Sequence, residues 1–122
     1  MKIYSFEKLA VWQKSRKIAV VIYKITREFP KEELFGISSQ MRRCSVSIAS
    51  NIAEGSGRQT PKEKARFTEI AYSSALELLN QLIITLDLEY INEEKYKEIR
   101  TEIEEITFML DALRKSQINI KE

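Results

Sequence analysis

The sequence predicts an all-α protein: one domain folded as an up-down antiparallel four-helix bundle. Two observations predict it. All three glycines and both prolines fall in two short connections, Pro30 and Gly36 around one and Gly55, Gly57 and Pro61 around the other. Inside the long segments between, a glycine would cost roughly 1 kcal/mol and a proline roughly 3 kcal/mol. Apolar residues in those segments recur at spacings of three and four, and no segment alternates with a period of two. At 122 residues the chain is long enough for one core and too short for two.

The first helix is expected over about 6–28, with Leu9, Trp12, Ala19, Ile22 and Thr26 on its core face. Phe29-Pro30 ends it, because the residue before a proline is pushed out of the α region. The second is expected over about 38–54, where Ile37, Met41, Cys44, Ile48 and Ile52 repeat at helical spacing and Gly55 supplies a left-handed cap. The third, about 61–89, has the clearest start. Thr60-Pro61-Lys62-Glu63 sets a cap, a proline at the first helical position and a capping-box glutamate in register. Asn92 caps the fourth, over about 93–117.

The helices differ in how much apolar surface they carry. On the fourth, Ile99, Ile103, Ile106, Leu110 and Leu113 lie within about 80° of arc at 100° per residue. On the third, the apolar positions from Phe67 to Leu86 spread over roughly half the circumference by the same count. The second adds a small-residue strip of Val46, Ala49 and Ala53 opposite its main stripe, and Val20 and Val21 interrupt the polar side of the first. A helix apolar beyond one stripe is either buried as the centre of its bundle or has a second partner. In so small a bundle we favour the partner, which means self-association.

Composition removes most enzyme chemistry. There is no histidine and Cys44 is the only cysteine. An intrachain disulfide, a Cys/His zinc site, and Ser-His-Asp or Cys-His catalysis are therefore excluded. We expect no metal, no cofactor and no enzymatic activity. The first residues show no secretory apolar core, and the apolar run Ile18–Tyr23 is far below the ~20 residues of a bilayer span. With a lone cysteine suited to a reducing interior, the expected location is cytoplasmic.

Charge is uneven. Residues 1–60 carry 11 Lys/Arg against 5 Asp/Glu, net +6, and residues 61–122 carry 9 against 13, net −4. The basic half can meet nucleic acid, or it can complement the acidic half of the same chain or of a neighbouring copy. For the first reading the candidate contacts are Lys14, Lys17 and Lys24 on the first helix, Arg42 and Arg43 on the second, and Arg58 in the following loop. The aromatics do not choose between the two: Trp12 and Phe29 occupy expected core positions, and no exposed ladder for base stacking is visible.

The second helix also holds an unusual polar set. Arg43, Ser47, Ser50 and Glu54 share one stripe, flanked by Gln40 and Asn51. Ser47, Asn51 and Glu54 are expected as a structural polar seam, in which small serines let helices approach while Asn51 and Glu54 tie down the loop after Gly55. The alternative is a binding or catalytic stripe, for which a single carboxylate without a partner base is weak support. Gly-Ser-Gly-Arg at 55–58 lacks the Gly-Lys-Ser/Thr ending of a phosphate loop.

Longer strings are familiar. Phe6-x-x-Leu9-x-Val11-Trp12-Gln13-Lys14, Tyr23-x-x-Thr26-x-x-Phe29-Pro30 and Glu33-x-Phe35-Gly36 stand in the first third. Gln40-Met41-Arg42-Arg43-Cys44-Ser45-Val46-Ser47-Ile48-x-x-Asn51-Ile52-Ala53-Glu54-Gly55 and Ile70-Ala71-Tyr72-Ser73-Ser74-Ala75-x-Glu77-Leu78 follow. Over residues 6 to about 113 the chain resembles a bacterial four-helix bundle family whose genes were noted within intervening sequences of 23S ribosomal RNA. Cys44 departs from the small alanine usual there, and Ala49 and Ser50 also vary. The resemblance implies a homopentameric ring and no established enzymatic activity. A relative, the accessory variability determinant of diversity-generating retroelements, is a basic barrel that binds nucleic acid and the reverse transcriptase. The functional expectation is a homo-oligomer that binds RNA or DNA by electrostatics. The alternative is a protein-interaction scaffold for a nucleic-acid enzyme, without direct contact to nucleic acid.

Overall fold

The computed structural model describes residues 1–119, and these form four α-helices without a strand. They are α1 (Ala10–Thr26), α2 (Ile37–Ser56), α3 (Pro61–Asp87) and α4 (Glu93–Ile118), with short 3-10 turns at Ser5–Lys8 and Lys31–Glu33. Each helix packs on its chain neighbours, α1 closes the bundle against α4, and α1–α3 and α2–α4 are the diagonals. The ends of the bundle are tied by Thr68 Oγ1 donating to Gln117 Oε1 at 2.8 Å and by Tyr90 OH donating to Glu33 Oε2 at 2.7 Å.

Local capping chemistry sets the two sharpest starts. Thr60 Oγ1 accepts from Glu63 N at 3.1 Å with Pro61 in the first turn, and Asn92 Oδ1 accepts from Lys95 N at 2.8 Å. Each satisfies a donor that the first turn leaves unpaired. The chain turns into α4 through Glu89, whose φ of 62° lies in the left-handed region.

Three expectations change. The first helix is not continuous over 6–28: Leu9 is extended (φ −74°, ψ 124°) and separates the 3-10 turn from α1. Its core face is rotated towards Val11, Ser15, Ile18 and Ile22, leaving Leu9, Trp12 and Ala19 half-buried at the side. Ser15 and Thr26 fit the core because each hydroxyl donates to its own helix, to Val11 O and Ile22 O at 2.7 Å. Gly55 is no left-handed cap either. It lies inside α2, and the helix ends one turn-step later at Gly57 with φ −90°. What Gly55 provides is proximity: a Cβ there would sit 2.7 Å from Phe67 Cβ on α3.

The remaining stripes fill the core. Met41, Ile48 and Ile52 of α2, Ala71, Ala75, Leu78 and Leu82 of α3, and Ile99, Ile103, Ile106 and Leu110 of α4 are buried together. Phe29 closes one end, its ring 5.2 Å from that of Tyr90. Among the described residues no helix is long and apolar enough to cross a membrane.

Candidate functional site

The six candidate cations separate into distinct settings. Lys14 on α1 donates to Glu105 Oε2 on α4 at 2.6 Å and lies 3.9 Å from Glu102, and this hydrogen bond and charge hold its ammonium above the usual lysine range. Lys17 borders the same α1–α4 seam with Lys95, Glu98 and Glu102. Here the basic half of the chain neutralises the acidic half. Arg58 pairs with Glu54 one turn earlier at 3.1 Å and lies 4.5 Å over the Phe67 ring.

Lys24, Arg42 and Arg43 are placed differently. Together with Arg16 and Arg27 they flank two adjoining grooves along the outer face of α1 and α2. The first groove, about 640 Å³, has an apolar floor of Ala19, Val20, Val46, Ala49 and Ala53, with Trp12 and Phe6 at one end. The second, about 610 Å³, continues it past Tyr23 and Ser50 to Leu34 and Phe35. Among the described residues no carboxylate lines either groove. Arg16, Lys24, Arg27 and Arg42 therefore share one side of the bundle whose grooves hold no carboxylate, an arrangement that raises the potential over that face, while Arg43 also borders the α2–α3 groove that Glu77 lines.

Arg42 is also structural. Its Nε donates to Thr26 Oγ1 at 2.8 Å and its guanidinium lies 4.9 Å over the Tyr23 ring, which fixes α2 to the end of α1. Arg43 is exposed, one residue further round the helix. Trp12, expected in the core, instead packs edge-on against Phe6 at 5.0 Å and carries Arg16 at 5.0 Å on its ring. Phe35 went unrecognised as an exposed aromatic; it is 93% exposed. Its place beside Gly36 in a polar connection was the available signal.

The polar residues of α2 form part of the expected seam. Ser47 Oγ and Ser74 Oγ are 2.9 Å apart across α2 and α3, and Asn51 Nδ2 donates to Ser47 O at 2.8 Å and to Ser47 Oγ at 3.0 Å. Glu54 is outside this cluster, exposed and paired with Arg58. Ser47 and Asn51 thus belong to a helix-packing contact, while Glu54, in the last turn of α2, pairs with Arg58 of the α2–α3 loop. Burial, reinforced by Glu77, pushes the Cys44 thiol up to about 11, so it is neutral at physiological pH. No group of three potential metal ligands comes together among the described residues.

Fold and surface define a class: a four-helix bundle with a packed hydrocarbon core and a basic face along α1 and α2. Comparison with known proteins places it further. The chain belongs to the 23S rRNA-intervening sequence protein family, whose model matches residues 7–112. It is similar to a crystal structure of a protein with unknown function from the S23 ribosomal protein family of Bacteroides thetaiotaomicron. The two share 30% identity with a TM-score of 0.80, covering 86% of this chain and 95% of that one. Among curated proteins none matches the chain.

Proposed function

We propose that this protein is a non-enzymatic, cytoplasmic, self-assembling bundle, a homopentamer by its resemblance, that binds RNA or DNA through electrostatics. One observation carries the reading: Lys24, Arg27, Arg42 and Arg43 share the face of α1 and α2 whose grooves no carboxylate lines. Contacts from such a face go to phosphates, which set affinity and carry little sequence information. Assembly would multiply the face by the number of copies. Of the six cations singled out in the sequence, Lys24, Arg42 and Arg43 keep this role. Lys14 and Arg58 have carboxylate partners within the fold, and Lys17 borders a seam that already holds two glutamates.

The test is anisotropy of a labelled duplex titrated with protein at several salt concentrations. Replacing Arg27 and Arg43 by glutamate leaves the structural Arg42 in place. Removing two phosphate contacts should flatten the slope of log affinity on log salt by about 1.8. Lys14→Gln should leave the slope unchanged. An unaltered slope in a folded, assembled R27E/R43E variant would refute the assignment.

A second reading has Phe35 behind it. A nearly bare phenylalanine beside Leu34 is the kind of apolar anchor a protein partner buries. In this reading the protein is a scaffold for a nucleic-acid enzyme. Absence of binding at the lowest salt would favour it.

A further inference from the structure

Beside the basic face lies a groove of a different kind, between α2 and α3. It encloses about 550 Å³ and is polar, with Gln40, Arg43 and Ser47 of α2 across from Ser74 and Glu77 of α3. Clefts that hold small organic groups are of this size, ~300–1,000 Å³. Arg43 and Glu77 both line it, yet neither forms an ion pair among the described residues. Phe35 borders it as well, and that ring is 93% exposed.

Phe35, Ser39, Arg43 and Ser47 recur at every fourth residue, and all four also line the second groove along α1 and α2. They form the ridge between a groove without a carboxylate and a groove that holds one. Charge sorts what each side accepts. A phosphate is attracted by Arg42 and Arg43 on the α1 side and repelled by Glu77 on the α3 side. A neutral group that donates N–H is favoured beside Glu77, because an ionised carboxylate only accepts. At the crossing, a flat aromatic group gains by stacking on a bare phenylalanine.

We infer that the α2–α3 groove takes an unpaired base of single-stranded RNA or DNA, its phosphate held by Arg43 on the α1 side, its ring stacked on Phe35 and its amino edge donating to Glu77. The inference rests on the nucleic-acid part of the proposed function and adds a base site to it. A base within a duplex does not reach this groove, because its edge is paired and its faces are stacked; splayed single strands offer both. Cytosine suits Glu77, since its N4 amino group donates where uracil presents a carbonyl oxygen. Phosphates on either side of the base continue along Lys24, Arg27 and Arg42, so a strand fits the surface better than a free nucleotide.

Anisotropy of labelled ~12-nucleotide oligocytidylate and oligouridylate, and of a duplex of the same length, tests this. Phe35→Ser should weaken oligocytidylate binding by roughly 5- to 150-fold, the worth of one base–aromatic stack, and leave the duplex within about twofold. The wild type should prefer oligocytidylate to oligouridylate by about fivefold or more, and Glu77→Gln should remove that preference. Both side chains are exposed, and helical content by circular dichroism checks each fold. Cytidine monophosphate at micromolar concentration should leave the strand bound; displacement there would assign the groove to a free nucleotide and overturn the strand. No binding of any probe at the lowest salt would overturn the inference together with the nucleic-acid reading it rests on. A duplex that binds, with a folded Phe35→Ser chain holding oligocytidylate like the wild type or with oligouridylate bound as tightly as oligocytidylate, would overturn the base site alone.

Discussion

Gly55→Ala sets two opposing effects of known size against each other. Gly55 lies inside α2, so replacing it by alanine removes a poor helix former and should by itself stabilise the helix by about 1 kcal/mol. Against this stands the 2.7 Å separation between the new Cβ and Phe67 Cβ, where ordinary carbon contacts are about 3.5–4.0 Å. The obstructing atom is bonded to the α3 backbone, so no side-chain rotation relieves it. The helices must separate by most of an ångström near Phe67, and overpacking of this kind costs about 1–3 kcal/mol. Separation also moves Phe67 from under the Arg58 guanidinium. The clash should win, with a net loss of about 1–2 kcal/mol. For a chain of this size that lowers the melting temperature by roughly 3–10 °C, read by circular dichroism. Gly57→Ala is the internal control. Its Cβ would meet only Glu54 O at 3.6 Å, at a φ of −90° that any residue adopts. It should stabilise by about 0.4–1 kcal/mol through the unfolded chain. A Gly55→Ala protein as stable as the wild type would refute close helix approach as the reason for this glycine.

Other predictions concern single groups. With burial raising the Cys44 thiol to about 11, only ~0.1% is thiolate at pH 8, so a disulfide reagent should react slowly with the folded chain and quickly once urea unfolds it. The same shift fixes a pH dependence. The unfolded thiol ionises near its ordinary 9.0 and the folded one near 11, so this contribution to stability is full below pH 9 and lost as pH rises towards 11. Urea midpoints at pH 8 and pH 10.5 measure it, and a Cys44→Ala chain should lack that component. Gln81 is buried with its Oε1 lacking a donor, and Gln81→Met, of similar shape, should raise stability by about 1 kcal/mol; a lower melting temperature would show the amide to be satisfied. Glu89→Gly should gain about 0.5–1 kcal/mol by relieving its left-handed backbone, and a loss on thermal melting would count against that strain.

Capping chemistry was legible because it is local. Thr60, Pro61 and Asn92 act within one turn of themselves, so their neighbours in sequence are their neighbours in space. The stripes of α2 and α4 were legible for a related reason: their core positions are apolar throughout most of their length, and burial of such a stripe dominates the free energy. The orientation of α1 was not legible. Its core positions include Ser15 and Thr26, which look polar until their hydroxyls are seen bonded to their own helix. The exposed Phe35 escaped notice because a hydrophobic residue in a short connection has no periodicity to declare its side.

The sequence by itself determined that this protein is helical, where most helices start, and which chemistries it lacks, since these depend on residue type and near neighbours alone. Only the tertiary structure decided which charges remain. Lys14 and Glu105 stand 91 residues apart and meet at 2.6 Å, removing one cation from the surface, while Lys24 and Arg27 line a groove without a carboxylate. Electrostatic interaction falls with distance in space and ignores distance along the chain, so the basic face exists only once four helices have chosen their neighbours.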